Sequence, residues 1–246
     1  NKYQFYNSQT SLPEVYTYRS TGMWRPRPNQ EAAINNFMAA VNNGRNNLLM
    51  YAVMRFGKSF TALCCAKEMK AKIVLVVSAK ADVREEWKKT VQSAENFCND
   101  YTFLTSDDLG CGSDTIKNEL NKNKGVLIFL TLQDLQGDSI KEKHAELFSI
   151  PIDLLIVDET HYGARAESYG KLLRDSSYEK DTNIKNLEDD FIEIEAANEQ
   201  LKNLNVNITL HLSGTPYRIL MGSEFSREDI ITFCQFTDIA NEQKKW

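Results

Sequence analysis

The apolar residues of this chain fall into short, nearly continuous runs, separated by longer stretches of mixed polarity. Uninterrupted apolar runs predict strands that are covered on both faces, whereas strict alternation would predict strands with one face in water. Five runs have this character, and a weaker sixth covers 101–104. The five are 47–53, 73–78, 126–131, 153–158 and 208–213. The pattern therefore predicts a mostly parallel sheet.

Between the apolar runs, polar and apolar residues recur at helical spacing. The predicted helices cover 30–42, 58–70, 82–94 and 139–148. Alternating strands and helices indicate an α/β fold, with helices on both faces of the sheet. Ligands of such folds bind beyond the carboxyl ends of the strands. The residues that follow each strand are therefore the first candidates for function.

Composition narrows the class of protein. A chain of 246 residues with 42% hydrophobic content can bury the core of one large α/β domain. The net charge of −5 gives no overall attraction to nucleic acid, so such a partner would need a local basic surface. The five cysteines are odd in number and lack C-x-x-C spacing, which indicates a reducing cytosol rather than disulfides or zinc. No apolar run is long enough to span a bilayer, so we expect a cytoplasmic protein without a membrane partner.

The first strand end that carries chemistry is "YAVMRFGKSF", residues 51–60. A phosphate-binding loop needs backbone N–H groups at a helix N-terminus, a lysine for the β and γ phosphates, and a hydroxyl for magnesium. Gly57, Lys58 and Ser59 meet these needs, although Ala52 replaces the glycine that usually begins such a loop. The alternative is an ordinary strand, turn and helix that contains G-K-S by chance.

Two further strand ends carry polar side chains that suit the same chemistry. "DLLIVDETH" places Asp158 where it would hold magnesium and Glu159 where it would orient or deprotonate a water. "HLSGTPYR" places hydroxyls after another buried strand, where they would sense the γ phosphate through the loop that ends at His161. Ser213 and Thr215 are these coupling candidates. Taken alone, each stretch is also compatible with an ordinary turn.

Together, the three stretches resemble the first motor domain of superfamily 2 helicases and translocases, with D-E-T-H as its D-E-x-H box. Upstream, "RPRPNQEAAINNF" resembles the segment that opens the motor of type III restriction subunits and related DNA translocases. The resemblance covers about residue 24 to the end. It implies a RecA-like P-loop NTPase domain over 24–246, with a lead-in segment over 1–23 and an elaborated connection over 163–205.

The resemblance also implies ATP and Mg²⁺ as cofactors. Gln30 would read the adenine edge, with Asn29 at the position that is usually aromatic. Ser59 and Asp158 would hold the metal, and Lys58, Asp158 and Glu159 would be the catalytic residues. The remaining nucleotide contacts would come from the loop itself: Arg55, Phe56, Gly57, Lys58, Ser59 and Phe60.

Two segments between the nucleotide motifs resemble the family's strand-contacting segments, "VVSAKADVREEWKK" and "FLTLQDL". By this resemblance Ser78, Lys80, Thr131 and Gln133 are candidates for contacts to the phosphate backbone of DNA. The alternative for each residue is the ordinary polarity of a strand end.

The resemblance predicts the ATP-binding half of a DNA-dependent ATPase motor of a restriction or phage-defence system. We expect duplex DNA as partner, a second RecA-like domain C-terminal to this chain that supplies an arginine, and a possible fused nuclease or methyltransferase. Without that second domain we expect the ATPase to be incomplete. The competing hypothesis is a nucleotide-dependent switch that binds a protein and does not act on nucleic acid. Within 163–205, apolar residues at helical spacing predict a helix that packs on the sheet or docks another domain.

Overall fold

The computed structural model describes residues 22–110, 114–135, 142–158, 200–214 and 225–244. Seven strands in these ranges form one sheet, and every pairing in it is parallel. The strands are β1 Asn47–Ala52, β2 Ile73–Ser78, β3 Tyr101–Thr105, β4 Gly125–Thr131, β5 Ile152–Asp158, β6 Val206–Ser213 and β7 Ile230–Cys234. Their order across the sheet is β3-β4-β2-β5-β6-β1-β7.

The six strands expected from the sequence are all present, with only small shifts at their ends. The seventh strand, β7, was not predicted. It pairs with β1 at one edge of the sheet and is only partly buried, because Ile231 and Cys234 are covered while Phe233 is 44% exposed. Thr232 also interrupts its short apolar run. An edge strand has a neighbour on one side only, which weakens the burial signal in its sequence.

Six α-helices lie entirely within the described ranges, and residues 200–202 are also helical. The six are α1 Pro28–Asn42, α2 Lys58–Glu68, α3 Arg84–Ser93, α4 Thr115–Asn121, α5 Ala145–Ser149 and α6 Phe236–Gln243. The first three match the predicted helices. The predicted helix over 139–148 corresponds, in its described part, to a 3₁₀ turn at Glu142–His144 followed by α5. The short helices α4 and α6 were missed because they carry few apolar residues.

The core lies on both faces of the sheet. Alternate residues of β2 point to opposite sides, so Val74 and Val76 join one cluster while Leu75 and Val77 join the other. The first cluster includes Trp87 of α3, and the second includes Ile116 of α4. The predicted α/β class with helices on both faces is confirmed.

The register of the strands brings several predicted site residues to one edge. Ser78 at the end of β2 pairs with Asp158 at the end of β5. Asp158 pairs in turn with Leu212 of β6, and Ser213 pairs with Tyr51 of β1. Four neighbouring strands therefore present their carboxyl ends side by side, where α/β folds bind ligands.

Some predictions lie outside the described residues. These include almost all of the lead-in segment over 1–23 and most of the connection over 163–205, so the proposed division of the chain stays a prediction. In the described ranges, no helix is both long enough and apolar enough to cross a bilayer.

Candidate nucleotide site

The loop between β1 and α2 has the backbone shape of an anion-binding turn. Arg55 and Gly57 have φ angles of 69° and 84°, both in the left-handed region, and α2 begins directly afterwards at Lys58. Left-handed residues among right-handed ones turn successive N–H groups toward a common point, which suits an anion. The N-terminus of the following helix adds its own unpaired N–H groups and positive dipole end. The G-K-S sequence thus lies where phosphate groups would be held.

Lys58 reaches back across this loop. Its Nζ donates a hydrogen bond to the carbonyl oxygen of Ala52, at 3.0 Å, so the side chain crosses the mouth of the loop. Gly214 lies beside it, because a Cβ built on Gly214 would stand 3.6 Å from Lys58 Nζ and 3.9 Å from the Ala52 oxygen. The structure therefore brings Gly214, the second residue of S-G-T-P, to the predicted phosphate-binding loop, although the two are far apart in sequence.

The two predicted magnesium ligands are nearly buried. Ser59 and Asp158 are each 9% exposed. A hydroxyl and a carboxylate are hard oxygen ligands, which Mg²⁺ prefers, and Mg²⁺ usually takes few ligands from protein and the rest from phosphate and water. Within the part of the chain that the structure describes, no group of three or more His, Cys, Asp or Glu side chains could hold a metal without such help. The Ser59 hydroxyl and the Asp158 carboxylate are therefore suitable ligands for Mg²⁺ that is bound together with a nucleotide.

Two residues of α3 contact these predicted ligands, and the sequence did not single them out. The indole Nε1 of Trp87 donates to Oδ2 of Asp158 at 3.0 Å, and Ser59 Oγ donates to Oε1 of Glu86 at 3.4 Å. Both lie within "VREEWKK", which was considered only for contacts to DNA. The feature of the sequence that could have indicated this role is Trp87 itself, a large aromatic residue in an otherwise charged stretch.

Gln30 packs onto the phosphate-binding loop. Its Nε2 donates to the carbonyl oxygen of Phe56 at 2.7 Å, and its Oε1 accepts from the backbone N–H of Arg27 at 2.9 Å. The side chain is 4% exposed and stands next to Gly57. An amide side chain can make about four hydrogen bonds, so these two contacts leave capacity for an adenine edge. The predicted adenine contact stays a prediction.

Arg27 ties the same loop to the C-terminal helix. Its guanidinium donates to the carbonyl oxygens of Arg55 and Phe56 and lies 3.6 Å from a carboxylate oxygen of Glu242 in α6. That carboxylate also accepts the backbone N–H of Asn29 at 2.9 Å. Glu242 is 7% exposed, so its charge is balanced mainly by these contacts. The sequence did not indicate the roles of Arg27 and Glu242, because these two residues are more than two hundred positions apart.

The aromatic residues of the loop face the protein core. Phe56 is 1% exposed, and Phe60 is packed between Trp24 and Phe97 with ring centroids 5.6 and 5.7 Å away. The nucleotide contacts predicted for Phe56 and Phe60 would therefore have to come from their backbone and not from their rings. The side chain of Arg55 is exposed.

The four candidates for DNA contacts lie at the ends of the adjacent strands β2 and β4, where Ser78 pairs with Thr131. Lys80 and Gln133 are exposed. Ser78 is 1% exposed, and its Oγ accepts the backbone N–H of Lys80 at 3.2 Å. Its side chain therefore supports the turn and is poorly placed to reach a phosphate.

Thr131 also has a structural role in the described contacts. Its backbone N–H and its hydroxyl both donate to Oδ2 of Asp134, at 2.9 and 2.8 Å. Burial by itself raises the pKa of Asp134, but hydrogen bonds from Thr131 and Ser106, together with nearby His144, hold that pKa below its ordinary value. The ionised carboxylate of Asp134 therefore stabilises the turn after β4. Within this turn, Gln133 is the exposed polar residue.

Three predicted residues lie outside the described ranges. They are Glu159, His161 and Thr215, so their proposed roles rest on the sequence.

The family model of the type III restriction enzyme res subunit matches residues 23–218 of the chain. This chain belongs to that family. It is accordingly a helicase-like ATPase domain of the restriction-enzyme class, and its family uses nucleotide.

A curated relative supports this membership. The C-terminal part of a putative type II restriction enzyme and methyltransferase of Mycoplasma pneumoniae is 30% identical over 255 aligned positions, which cover 93% of this chain. The chain spans only 34% of that relative.

Solved structures share the fold at low sequence identity. The ATP-dependent Type ISP restriction-modification enzyme LlaBIII, bound to DNA, matches with a TM-score of 0.61 and 14% identity over 96% of this chain and 17% of its own. A nuclease-deletion mutant of the Type ISP enzyme LlaGI, with a DNA substrate mimic, gives a TM-score of 0.55 and 13% identity, over 91% and 21%. The SWI2/SNF2 ATPase core of Sulfolobus solfataricus, with duplex DNA, gives 0.50 and 15%, over 89% and 36%. These likenesses establish a RecA-like helicase core fold.

Proposed function

We propose that this chain is the ATP-binding half of a DNA-dependent ATPase motor in a restriction or related defence system. The observation that carries the proposal is the meeting of three separate strand ends. Lys58 of the loop after β1 lies beside Gly214 after β6, while Asp158 ends β5 in register with the residue that precedes Ser213. A phosphate-binding loop, a carboxylate and a hydroxyl-bearing turn at one edge suit nucleotide hydrolysis coupled to movement.

Each side chain has a proposed task in that reaction. Lys58 would exchange its hydrogen bond with Ala52 for the terminal phosphates of ATP and neutralise their charge. Ser59 and Asp158 would hold Mg²⁺, and Gln30 would orient the adenine. When bound, Mg²⁺ supplies positive charge that stabilises the phosphoryl group during transfer. Ser213 would pass the state of the nucleotide to the loop that ends β5.

Three residues beyond the described ranges complete the proposal from sequence. Glu159 would orient or deprotonate the attacking water, and His161 and Thr215 would take part in coupling. Their roles are proposed from their positions in the D-E-T-H and S-G-T-P stretches of the sequence alone.

Duplex DNA is the proposed partner, held at the exposed Lys80 and Gln133 beyond β2 and β4. The net charge of −5 means that such binding depends on local groups. A second RecA-like domain and a fused nuclease or methyltransferase are proposed as further parts of the complete protein. The support is that the chain spans 34% of a relative whose name includes restriction and methyltransferase activities.

The test has two stages. Calorimetry should first show that this chain binds magnesium-ATP and that Lys58→Ala abolishes or nearly abolishes binding, because the cation for the phosphates is lost. Lys70→Ala, an equal change of charge at an exposed residue after α2, should bind as the parent does. Failure of the parent to bind nucleotide would overturn the proposal.

The second stage uses the full-length protein and measures ATP hydrolysis with and without duplex DNA. Stimulation by DNA that disappears with Lys58→Ala supports a motor. Hydrolysis that is indifferent to DNA and responds to a protein partner would replace this proposal with a nucleotide-dependent switch.

A further inference from the structure

The first turn of α3 contacts both predicted magnesium ligands at once. Glu86 and Trp87 are consecutive residues, yet Glu86 meets Ser59 in α2 while Trp87 meets Asp158 at the end of β5. Neighbouring residues of a helix point in directions that differ by about 100°. The first turn of α3 therefore contacts both α2, which follows the phosphate-binding loop, and the end of β5.

Trp87 fixes the orientation of the Asp158 carboxylate. The Trp87 side chain is 0% exposed and cannot move without disturbing the core, and its Nε1 lies 3.0 Å from Oδ2. An indole has one N–H donor and no acceptor, so this contact restrains one carboxylate oxygen without adding charge. A carboxylate that is already oriented loses less conformational entropy when it takes up a metal.

Glu86 has the corresponding effect on Ser59. The hydroxyl of Ser59 has one proton to donate and two lone pairs. Donation of that proton to the Glu86 carboxylate directs the lone pairs away from Glu86 and leaves them for a cation. The negative charge of Glu86 also raises the affinity of the site for a divalent ion.

We propose that Trp87 and Glu86 are positioning residues of the magnesium site, which orient Asp158 and Ser59 respectively. This inference rests on the proposed nucleotide function. It assigns to α3 a role in metal binding, whereas the sequence suggested contacts to DNA for this segment.

The test compares nucleotide affinity with Mg²⁺ and with EDTA. A non-hydrolysable ATP analogue is titrated into the chain under both conditions, and the ratio of the two affinities reports the metal contribution. Trp87→Phe, which keeps a ring but removes the N–H, and Glu86→Ala should each lower this ratio by about tenfold. Affinity in EDTA should stay close to that of the parent, because the phosphate contacts remain.

Matched controls separate this effect from general damage. Glu85→Ala removes the same charge from the adjacent, exposed position of α3, where the carboxylate lies 3.7 Å from Arg84. Trp24→Phe makes the same aromatic change at a residue that does not contact Asp158 and keeps a ring against Phe60. Both should keep the parental ratio.

The outcomes distinguish the two proposals. A parent chain whose nucleotide binding is insensitive to Mg²⁺ would contradict the proposed function itself. A parent that depends on Mg²⁺, with Trp87→Phe and Glu86→Ala indistinguishable from their controls, would overturn this inference alone. Thermal melting checks that each variant folds. If Trp87→Phe does not fold, the comparison of Glu86→Ala with Glu85→Ala decides whether α3 supports the magnesium site, because both substitutions lie at exposed positions of α3.

Discussion

Substitution of Gly57 by alanine tests the contact between the phosphate-binding loop and Gln30. Gly57 has a φ angle of 84°, and a Cβ built on it would stand 2.8 Å from Nε2 of Gln30. That nitrogen is at the end of a flexible side chain, but the side chain is 4% exposed and bonded at both ends, to Phe56 and Arg27. Gln30 must therefore move and give up its hydrogen bond to the loop.

The expected loss has two parts. A left-handed backbone costs a residue with a Cβ about 1–2 kcal/mol. Loss of the hydrogen bond from Gln30 to Phe56 adds about 0.5–1.5 kcal/mol. We expect Gly57→Ala to lower the free energy of unfolding by roughly 1.5–3.5 kcal/mol in total.

Gly44 offers a matched control. Its φ angle is 77°, yet nothing lies within 4 Å of a Cβ built on it. Gly44→Ala should therefore cost only the backbone part, about 1–2 kcal/mol. Urea unfolding of both variants, with unchanged m-values, measures the difference of about 1 kcal/mol that belongs to Gln30.

A double substitution makes the assignment specific. In a Gln30→Ala background the obstructing side chain is absent, so adding Gly57→Ala should cost no more than Gly44→Ala does. If Gly57→Ala and Gly44→Ala were equally destabilising in the parent, the close contact between Gly57 and Gln30 would be refuted.

Three other predictions concern separate parts of the molecule. Arg27→Met should lower the free energy of unfolding by about 2–4 kcal/mol, because it leaves the buried Glu242 carboxylate without its cation, and adding Glu242→Gln should recover part of the loss. Burial lowers the pKa of His211 from 6.5 to about 4, so the folded state disfavours the protonated imidazole. The contribution of His211 to the free energy of unfolding should therefore be full above pH 6.5 and fall as the pH drops toward 4. In the full-length protein, Lys80→Ala should weaken duplex binding for all sequences alike and reduce the salt slope by about 1.

Each of these predictions has a control and an opposing outcome. Additive losses for Arg27→Met and Glu242→Gln would mean that the two residues do not stabilise each other. His211→Gln should flatten the fall in stability between pH 6.5 and 4, and an unchanged fall would assign it to other groups. Lys70→Ala should leave DNA affinity unchanged. An effect as large as that of Lys80→Ala would indicate general electrostatics and no specific site.

The sequence alone determined six of the seven strands, the loop that ends in Gly57 and Lys58, and the position of Asp158 at a strand end. These features are local. A buried strand reveals itself through its own apolar run, and a left-handed position before a helix favours glycine, as at Gly57. Parallel strands between helices also place their carboxyl ends at one edge, so the sequence located these motifs at that edge, whereas the strand order across the sheet determined which of them are neighbours.

Only the tertiary structure decided which side chains support these motifs. Trp87 meets Asp158 across 71 positions of sequence, and the backbone of Asn29 meets Glu242 across 213. No periodicity encodes such pairs, because they depend on the register of distant strands and on how each helix crosses the sheet. The burial of Ser78, which is polar and lies at a strand end, was likewise not evident from the sequence. The elements β7 and α6 were missed for a different reason, because the apolar pattern in their own sequences is weak. Local patterns specify elements, whereas long-range packing specifies which polar groups remain available for chemistry.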